Sequence, residues 1–293
     1  MQIDAGGLRT ARVSCPRDEM PRVHSYQRVA ARGDLLQTLL EAKQQKLLGA
    51  NDCVCVLNEG QYQFMQVSQM DEAAEMSDED RREALRWHIK DYSEIGVEDA
   101  CIDYLDPPEQ GGRNAQQWVV VAERNVVQSR IHLFQDAAAP LVAIDIVETA
   151  HLNLAALFEE EDRGIAMLVF DNNGGRLTIS HGGEMYMSRQ IETLHAEPDD
   201  SNEEMARERV LLDIQRSLDN FDRTHSSIAL SRLLVSPMPE RDAFVEYLRT
   251  NLLLPVVIAD LAEVMDLGDV PELVDEELQG QAWSVIGAAM RGM

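Results

Sequence analysis

Two short stretches of the chain place an aspartate ahead of a pair of glycines. Residues 4–7 read Asp-Ala-Gly-Gly, and residues 171–175 read Asp-Asn-Asn-Gly-Gly. Each lies between two strand-like segments, which predicts a hairpin because glycine adopts positive φ freely. A carboxylate can coordinate Mg²⁺, and backbone without a Cβ can approach a phosphate closely. The repeat therefore indicates two similar halves with phosphate chemistry at the turns, and its candidate ligands are Asp4, Gly6, Gly7, Asp171, Gly174 and Gly175.

The same residues have a plainer interpretation. Aspartates in tight turns commonly hydrogen-bond their own backbone, and Asp4 and Asp171 are placed to do so. The glycines are needed for the turns under either interpretation. Both interpretations stay open at this point.

Other catalytic or metal-binding signatures are missing from the sequence. The chain has no G-x-S-x-G elbow, no P-loop lysine motif and no H-E-x-x-H zinc motif. The seven histidines do not show metal-ligand spacing, so we expect no metal site and no catalytic residues. The cysteines form no C-x-x-C pair and are expected to be reduced thiols: Cys15, Cys53, Cys55 and Cys101.

Composition narrows the class of partner. The chain has 293 residues and a formal net charge of −26, which argues against nucleic acid and against direct docking on an anionic membrane surface. No apolar run approaches the ~20 residues of a membrane helix. No signal peptide is recognisable at the N-terminus. We therefore expect a cytoplasmic protein.

Strand-like and helix-like segments alternate along both halves, which predicts a mixed α/β fold with sheets covered by helices. A helix is predicted over residues 34–48, with Asp34 as its N-cap. A second is predicted over residues 78–92, opened by Ser77. The side chains expected on one face of that second helix are Leu85, His88, Ile89 and Tyr92.

Several segments, taken in order, resemble the MshI family of PilM-like proteins, which serve assembly of the mannose-sensitive haemagglutinin type IV pilus. No one segment is a catalytic signature, but their order is fairly specific. The resemblance is clearest over residues 50–235. The segments are VLNEGQYQFMQV at 56–67, ALRWHIKD at 84–91, VEDACIDY at 97–104, IDIVETAHLNL at 144–154 and QRSLD at 215–219.

This resemblance implies an actin-like, ribonuclease H-like fold of two lobes with duplicated sheets that each carry a β-hairpin. The second lobe would lack most of its small subdomain, and the fold would be related to the cytoplasmic part of the GspL secretion proteins. The lobes would be residues 1–160, with an inserted small subdomain at about 68–140, and residues 161–293. It also implies a scaffold that lies under the inner membrane. One face would bind the cytoplasmic tail of a PilN-like membrane partner, and another would contact the pilus assembly ATPase.

In such relatives the tail binds a groove of the N-terminal half, and an aromatic side chain beside basic residues would suit a peptide. The candidates for partner binding are therefore Trp87, Arg86 and Tyr92, near Lys90. The alternative is that Trp87 packs in the core between its helix and a sheet.

Two departures from active actin-like ATPases argue against useful hydrolysis. Active relatives carry Asp-x-Gly-(Gly/Ser/Thr) at the second phosphate turn, whereas this chain inserts Asn172-Asn173 before Gly174. They also carry a Gly-Gly nucleoside loop, whereas this chain reads Ser-Pro-Met-Pro at 236–239. Proline lacks the N–H donor and restricts the loop. We expect no cofactor, or at most weak binding of Mg·ATP.

Two rival hypotheses remain open from the sequence. The first is an active ATPase or sugar-kinase-like enzyme on the same fold, which the Ser-Pro-Met-Pro loop disfavours. The second is a type II secretion component of the GspL type. Those proteins usually continue into a membrane helix and a periplasmic domain, and this sequence ends at Met293 before any such segment.

Overall fold

The structure is a computed structural model that describes most of the chain. Of Asp171 and of residues 200–203 it describes the backbone alone. The described ranges are 1–4, 6–17, 19–31, 33–48, 52–70, 76–108, 116–171, 174–191, 200–238 and 242–292.

The strands of these ranges alternate with helices, as the sequence predicts. They are β1 (Gln2–Asp4), β2 (Gly7–Ser14), β3 (Arg22–Ala30), β4 (Cys53–Val56), β5 (Tyr62–Ser68), β6 (Ala100–Leu105), β7 (Gln116–Glu123), β8 (Leu141–Asp145), β9 (Gly164–Asp171), β10 (Gly174–His181), β11 (Glu184–Ile191), β12 (Leu230–Val235) and β13 (Val256–Ile258).

Helices α1, α2 and α7 each begin after a side chain, Asp34, Ser77 or Asp275, that accepts a hydrogen bond from the first turn. The described ranges also contain the 3₁₀ turns Val97–Asp99, Leu261–Glu263 and Pro271–Val274. The α-helices are α1 (Leu35–Gln44), α2 (Asp78–His88), α3 (Arg124–Asp136), α4 (Val147–Phe158), α5 (Asp200–Thr224), α6 (Asp242–Asn251) and α7 (Glu276–Ala289).

Caps explain where the predicted helices begin, and local backbone explains why they end early. Asp34 accepts from the N–H of Gln37 at 2.8 Å, so α1 begins as expected. It ends at Gln44 rather than residue 48, because Lys46 adopts a φ of 59°, which no α-helix contains. Helix α2 likewise ends at His88 rather than at residue 92.

Contacts divide the chain into two compact units. Unit 1 comprises Met1, residues 9–28 and residues 147–293, and unit 2 comprises residues 2–8 and 29–146. Strands β2 and β3 have residues in both ranges. The predicted lobes at 1–160 and 161–293 and the small subdomain at about 68–140 stay predictions.

Strands of unit 2 belong to two of the described sheets. One is five-stranded with the order β3-β2-β1-β4-β8; its parallel strands β1, β4 and β8 lie in unit 2, whereas most of β2 and β3 lies in unit 1. The other has the order β5-β7-β6 and is antiparallel. Helix α2 covers one face of this smaller sheet, where Leu85 and Ile89 are fully buried with Val119 and Val121. The other face packs Phe64 on Trp118, with ring centroids 4.6 Å apart.

Unit 1 is built on a sheet with the order β11-β10-β9-β12-β13. Residues 165–168 of the central strand β9 are all fully buried, because alternate side chains enter two separate cores. Ile165 and Met167 pack with α4 and α7, and Leu168 packs with α5 and α6. Burial on both faces gives the continuous apolar run that the sequence shows here.

Helices α4 and α7 of unit 1 cross in close contact. A Cβ on Gly287 would lie 2.0 Å from the carbonyl oxygen of Ala150, so only glycine fits at the crossing. Asn153 adds a hydrogen bond from its amide to the carbonyl of Gly287 at 2.9 Å. Beside it, Trp283 is fully buried and stacks on Phe158 with centroids 6.4 Å apart.

Candidate functional site

The first turn, at residues 4–7, joins β1 to β2 and is held by a hydrogen bond from its own backbone to the Asp4 side chain. One carboxylate oxygen of Asp4 accepts the N–H of Gly6 at 2.8 Å, as the turn interpretation expects. Gly7 has a φ of 135°, and a Cβ there would lie 2.0 Å from the carbonyl oxygen of Val29. The carbonyl of Gly6 also accepts the N–H of Ala31 at 3.0 Å. The close backbone approach that this glycine permits is therefore made by strand β3.

The second turn joins β9 to β10, with Asp171 paired opposite Gly174. Gly174 has a φ of 141°, which favours glycine. A Cβ on Gly175 would lie 2.7 Å from Cε1 of Phe170, so an aromatic ring lies over that glycine. Phe170 in turn meets Phe244 edge to face, with centroids 5.9 Å apart. Asn172, Asn173 and the side chain of Asp171 lie outside the described residues.

The loop after β12 is packed against helix α7. The N–H of Ser236 donates to the carbonyl of Leu168 at 2.9 Å, which ties the start of the loop to β9. The carbonyl oxygen of Pro237 lies 2.4 Å from where a Cβ of Gly280 would stand. Helix α7 therefore lies directly on Pro237 of this loop. Pro239 lies outside the described residues.

Two of the predicted partner-binding residues lie at the C-terminal end of α2 and in the turn that follows it. Trp87 is 59% exposed and Tyr92 is 71% exposed, so the alternative that Trp87 is a core residue is wrong. Lys90 holds its Nζ 5.4 Å from the centre of the Trp87 ring, a cation–π distance. His88 is also exposed, so the predicted face of Leu85, His88, Ile89 and Tyr92 is buried only at the two aliphatic residues.

The third predicted partner-binding residue, Arg86, is occupied by structural contacts. Its guanidinium pairs with Glu83 at 3.1 Å and donates to the carbonyl oxygens of Val97 and Ala100. These bonds tie α2 to the segment that leads into β6. Arg86 therefore orients the helix that presents Trp87, and its side chain has little left to offer a ligand.

A second surface of unit 2, which the sequence did not reveal, lies between α3 and the edge strand β8. A cavity of about 580 Å³ is lined there by Phe134, Leu141 and Ile144, among others. Ile131 and Val142 stand at this surface with 37% and 56% of their area exposed. Along β8, Leu141 and Ala143 on either side of Val142 are half-buried, and the apolar run of this strand gives no sequence signal of an exposed position.

A buried polar cluster connects α4 to its surroundings in unit 1. Glu148 is fully buried and pairs with Arg176 at 3.0 Å. One turn further on, Nε2 of His151 lies 3.2 Å from Oγ of Ser284. Burial lowers the pKa of His151 to about 3, and the nearby Arg176 adds to that effect. The histidine is therefore neutral at physiological pH. The spacing of histidines in the sequence does not predict this buried cluster.

No helix in the described ranges combines the length and the apolar character needed to cross a membrane. In the same ranges, no group of three histidine, cysteine or acidic side chains is arranged to hold a metal ion. All four cysteines are free thiols.

Comparison with solved structures assigns the fold. The chain is similar to a chain of a PilM–PilN type IV pilus biogenesis complex at 17% identity and a TM-score of 0.68, covering 99% of this chain and 97% of that one. This confirms the predicted actin-like α/β fold. No protein-family model matches the sequence, and comparison with curated proteins gave no significant match.

Two further solved structures show weaker similarity. One is the cytoplasmic domain of EpsL, an inner-membrane component of the type II secretion system of Vibrio cholerae, at 12% identity and a TM-score of 0.46, covering 91% of this chain and 92% of that one. The other is a Bacteroides thetaiotaomicron protein with an actin-like ATPase fold, at 9% identity and a TM-score of 0.49, covering 92% and 96%.

Proposed function

We propose that this chain is an MshI-type scaffold of type IV pilus assembly. It binds the cytoplasmic tail of a PilN-like inner-membrane protein and links that protein to the pilus assembly ATPase. The scaffold is cytoplasmic and reaches the inner membrane through its partner. Its mechanism is binding rather than catalysis.

The observation that carries this proposal is the similarity to the PilM–PilN complex over 99% of the chain. Similarity at 17% identity establishes the fold alone. The ordered segments that resemble the MshI family are the reason to propose a role in pilus assembly. The acidic composition and the missing hydrolase and metal motifs are consistent with a protein that works by contact.

The nucleotide turns of this scaffold are, in our proposal, degenerate. An actin-like fold raises the expectation of Mg·ATP, but the described residues do not fit it well. The position that Gly7 leaves open is filled by the backbone of β3, and Gly175 lies under the ring of Phe170. The Pro237 carbonyl is packed against Gly280 of α7. Glycines that would admit phosphate or nucleoside are thus used for internal packing.

The tail-binding surface is, in our proposal, the exposed end of α2. Trp87 and Tyr92 offer large aromatic area, and Lys90 adds one positive charge beside the indole. Aromatic side chains of this kind dominate the energetics of protein interfaces. Leu85 and Ile89, buried beneath them, hold the helix rigid, so binding requires little reorganisation.

Calorimetric titration with a synthetic peptide of the PilN-like partner's cytoplasmic N-terminus tests the proposal. Replacing Trp87 by alanine should weaken binding by roughly 30-fold or more, as loss of an interface hot spot does. Its melting temperature should stay near that of the wild type, because the side chain is 59% exposed. Leu40→Ala in α1, which removes another partly exposed apolar side chain of unit 2, is the matched control and should bind normally.

A third variant, Val142→Ser, separates the two surfaces of unit 2. If it weakens peptide binding while Trp87→Ala does not, the tail lies in the groove beside β8 and the α2 assignment is wrong. If the wild-type protein binds no peptide at all, the scaffold proposal itself fails.

A further inference from the structure

Unit 1 carries a groove that the proposed function does not use. It has a volume of about 790 Å³ and lies between the second half of α5, the start of β12 and the loop that joins α6 to β13. Its apolar lining includes Leu218, Ile228 and Leu230. Buried neighbours such as Phe221 support it from the core. The groove is thus built on packed elements.

The loop from residue 252 to residue 255, which reads Leu-Leu-Leu-Pro, forms one wall of the groove. Leu252 and Leu254 pack partly against the core of unit 1. Leu253, between them, is fully exposed, at 107% of the reference area. A single exposed leucine is ordinary on a protein surface. This one stands at the mouth of an apolar groove, where a ligand could cover both together.

Two carboxylates lie on the opposite wall, which α5 forms. Asp219 and Asp222 are exposed and line the groove, and no ion pair joins either to another residue in the described part of the chain. The lining also includes one cation, Arg163. Its guanidinium bonds Glu160 at 3.4 Å and the carbonyl of Leu230 at 2.7 Å, so its charge is already balanced. The mouth of the groove is therefore negative.

We propose that this groove binds a short extended segment of a partner protein in which leucine-like side chains alternate with lysine or arginine. The apolar side chains would enter the groove beside Leu253, and the cations would meet Asp219 and Asp222. Apolar anchoring with charges at the rim is a common mode of peptide recognition. The overall charge of −26 would also attract a basic segment. The inference stands independently of the proposed function, because no residue of the groove belongs to the α2 surface.

Fluorescence anisotropy with defined peptides tests this inference on the full chain. The probe is a fluorescein-labelled peptide of sequence Gly-Leu-Lys-Leu-Lys-Gly, and its partner probe has glutamate in place of lysine. The lysine peptide should bind the wild type, and the glutamate peptide should not. Leu253→Ser and the double change Asp219→Asn with Asp222→Asn should each weaken binding by about tenfold or more.

Matched controls separate a groove from general attraction to an acidic protein. Leu212→Ser removes an exposed leucine of α5 outside the groove, and Glu263→Gln with Glu272→Gln removes the same net charge elsewhere in unit 1. Both controls should bind like the wild type. Equal loss in controls and groove variants would overturn the inference, as would equal binding of the two peptides or no binding of either. Self-association of the wild type that Leu253→Ser abolishes would also overturn it, because the occupant would then be a second copy.

Discussion

At the scale of single residues, the structure gives the conspicuous glycines an internal role. Gly7 could be predicted from the sequence as a turn residue, because the double glycine follows a strand. The sequence does not predict that Gly7 faces the carbonyl of Val29, because this contact depends on the register of a strand some twenty residues away. For Trp87 the sequence leaves both a core and an exposed position open. The burial of Leu85 and Ile89 and the 59% exposure of Trp87 show that this side chain points outward.

Replacing Gly7 by alanine should lower the free energy of unfolding by about 2–4 kcal/mol, because the new Cβ meets backbone and φ is 135°. Urea denaturation measures the change. Gly60→Ala is the control, since Gly60 also has positive φ, 82°, but has nothing within 4 Å of its Cβ. Gly60→Ala should lower the free energy of unfolding by about 1 kcal/mol, from backbone strain alone. An effect of Gly7→Ala no larger than that of the control would show that the turn does not depend on close packing.

At the scale of elements, the contact between α4 and α7 creates an environment that neither helix creates alone. Small residues let the two backbones approach at Gly287 and Ala150, which excludes water from the polar side chains nearby. His151 is buried there and its pKa falls to about 3. The sequence does not predict the dry polar cluster, because the residues that desolvate it come from distant parts of the chain.

Acid should destabilise unit 1 through His151. An unfolded histidine binds a proton below about pH 6.5, whereas the folded one stays neutral down to about pH 3, where its pKa lies. Over that window the unfolded state holds more protons, so stability rises with pH and falls as pH is lowered. Urea unfolding between about pH 7.5 and pH 5.5 should therefore show a stability loss, approaching about 1.4 kcal/mol per pH unit below pH 6.

His151→Gln should flatten that slope, and His88→Gln, at an exposed position, should leave it unchanged. If the unfolding free energy falls with decreasing pH equally in the wild type and in His151→Gln, His151 is not the cause of the acid sensitivity.

At the scale of the whole molecule, alternation of strands and helices was enough to predict the α/β class, and the duplicated turns suggested two similar halves. The two five-stranded sheets, each with a hairpin followed by parallel strands, agree with that expectation. The grooves beside β8 and beside α5 were not predictable, because each combines elements far apart in sequence. Surfaces that bind partners arise at this level, whereas the glycine turns are visible in the sequence yet serve internal packing.

We propose that this chain works by binding the tail of a membrane partner and that its nucleotide site is degenerate. Isothermal titration of the full chain with Mg·ATP, beside titration with the partner's tail peptide, tests both parts of that proposal. We expect a binding isotherm for the peptide and none for Mg·ATP at concentrations up to about 1 mM, which corresponds to a binding free energy weaker than about −4 kcal/mol. Micromolar binding of Mg·ATP would show that the proposal is wrong, because Gly7, Gly175 and Pro237 would then be part of a working site despite their internal contacts.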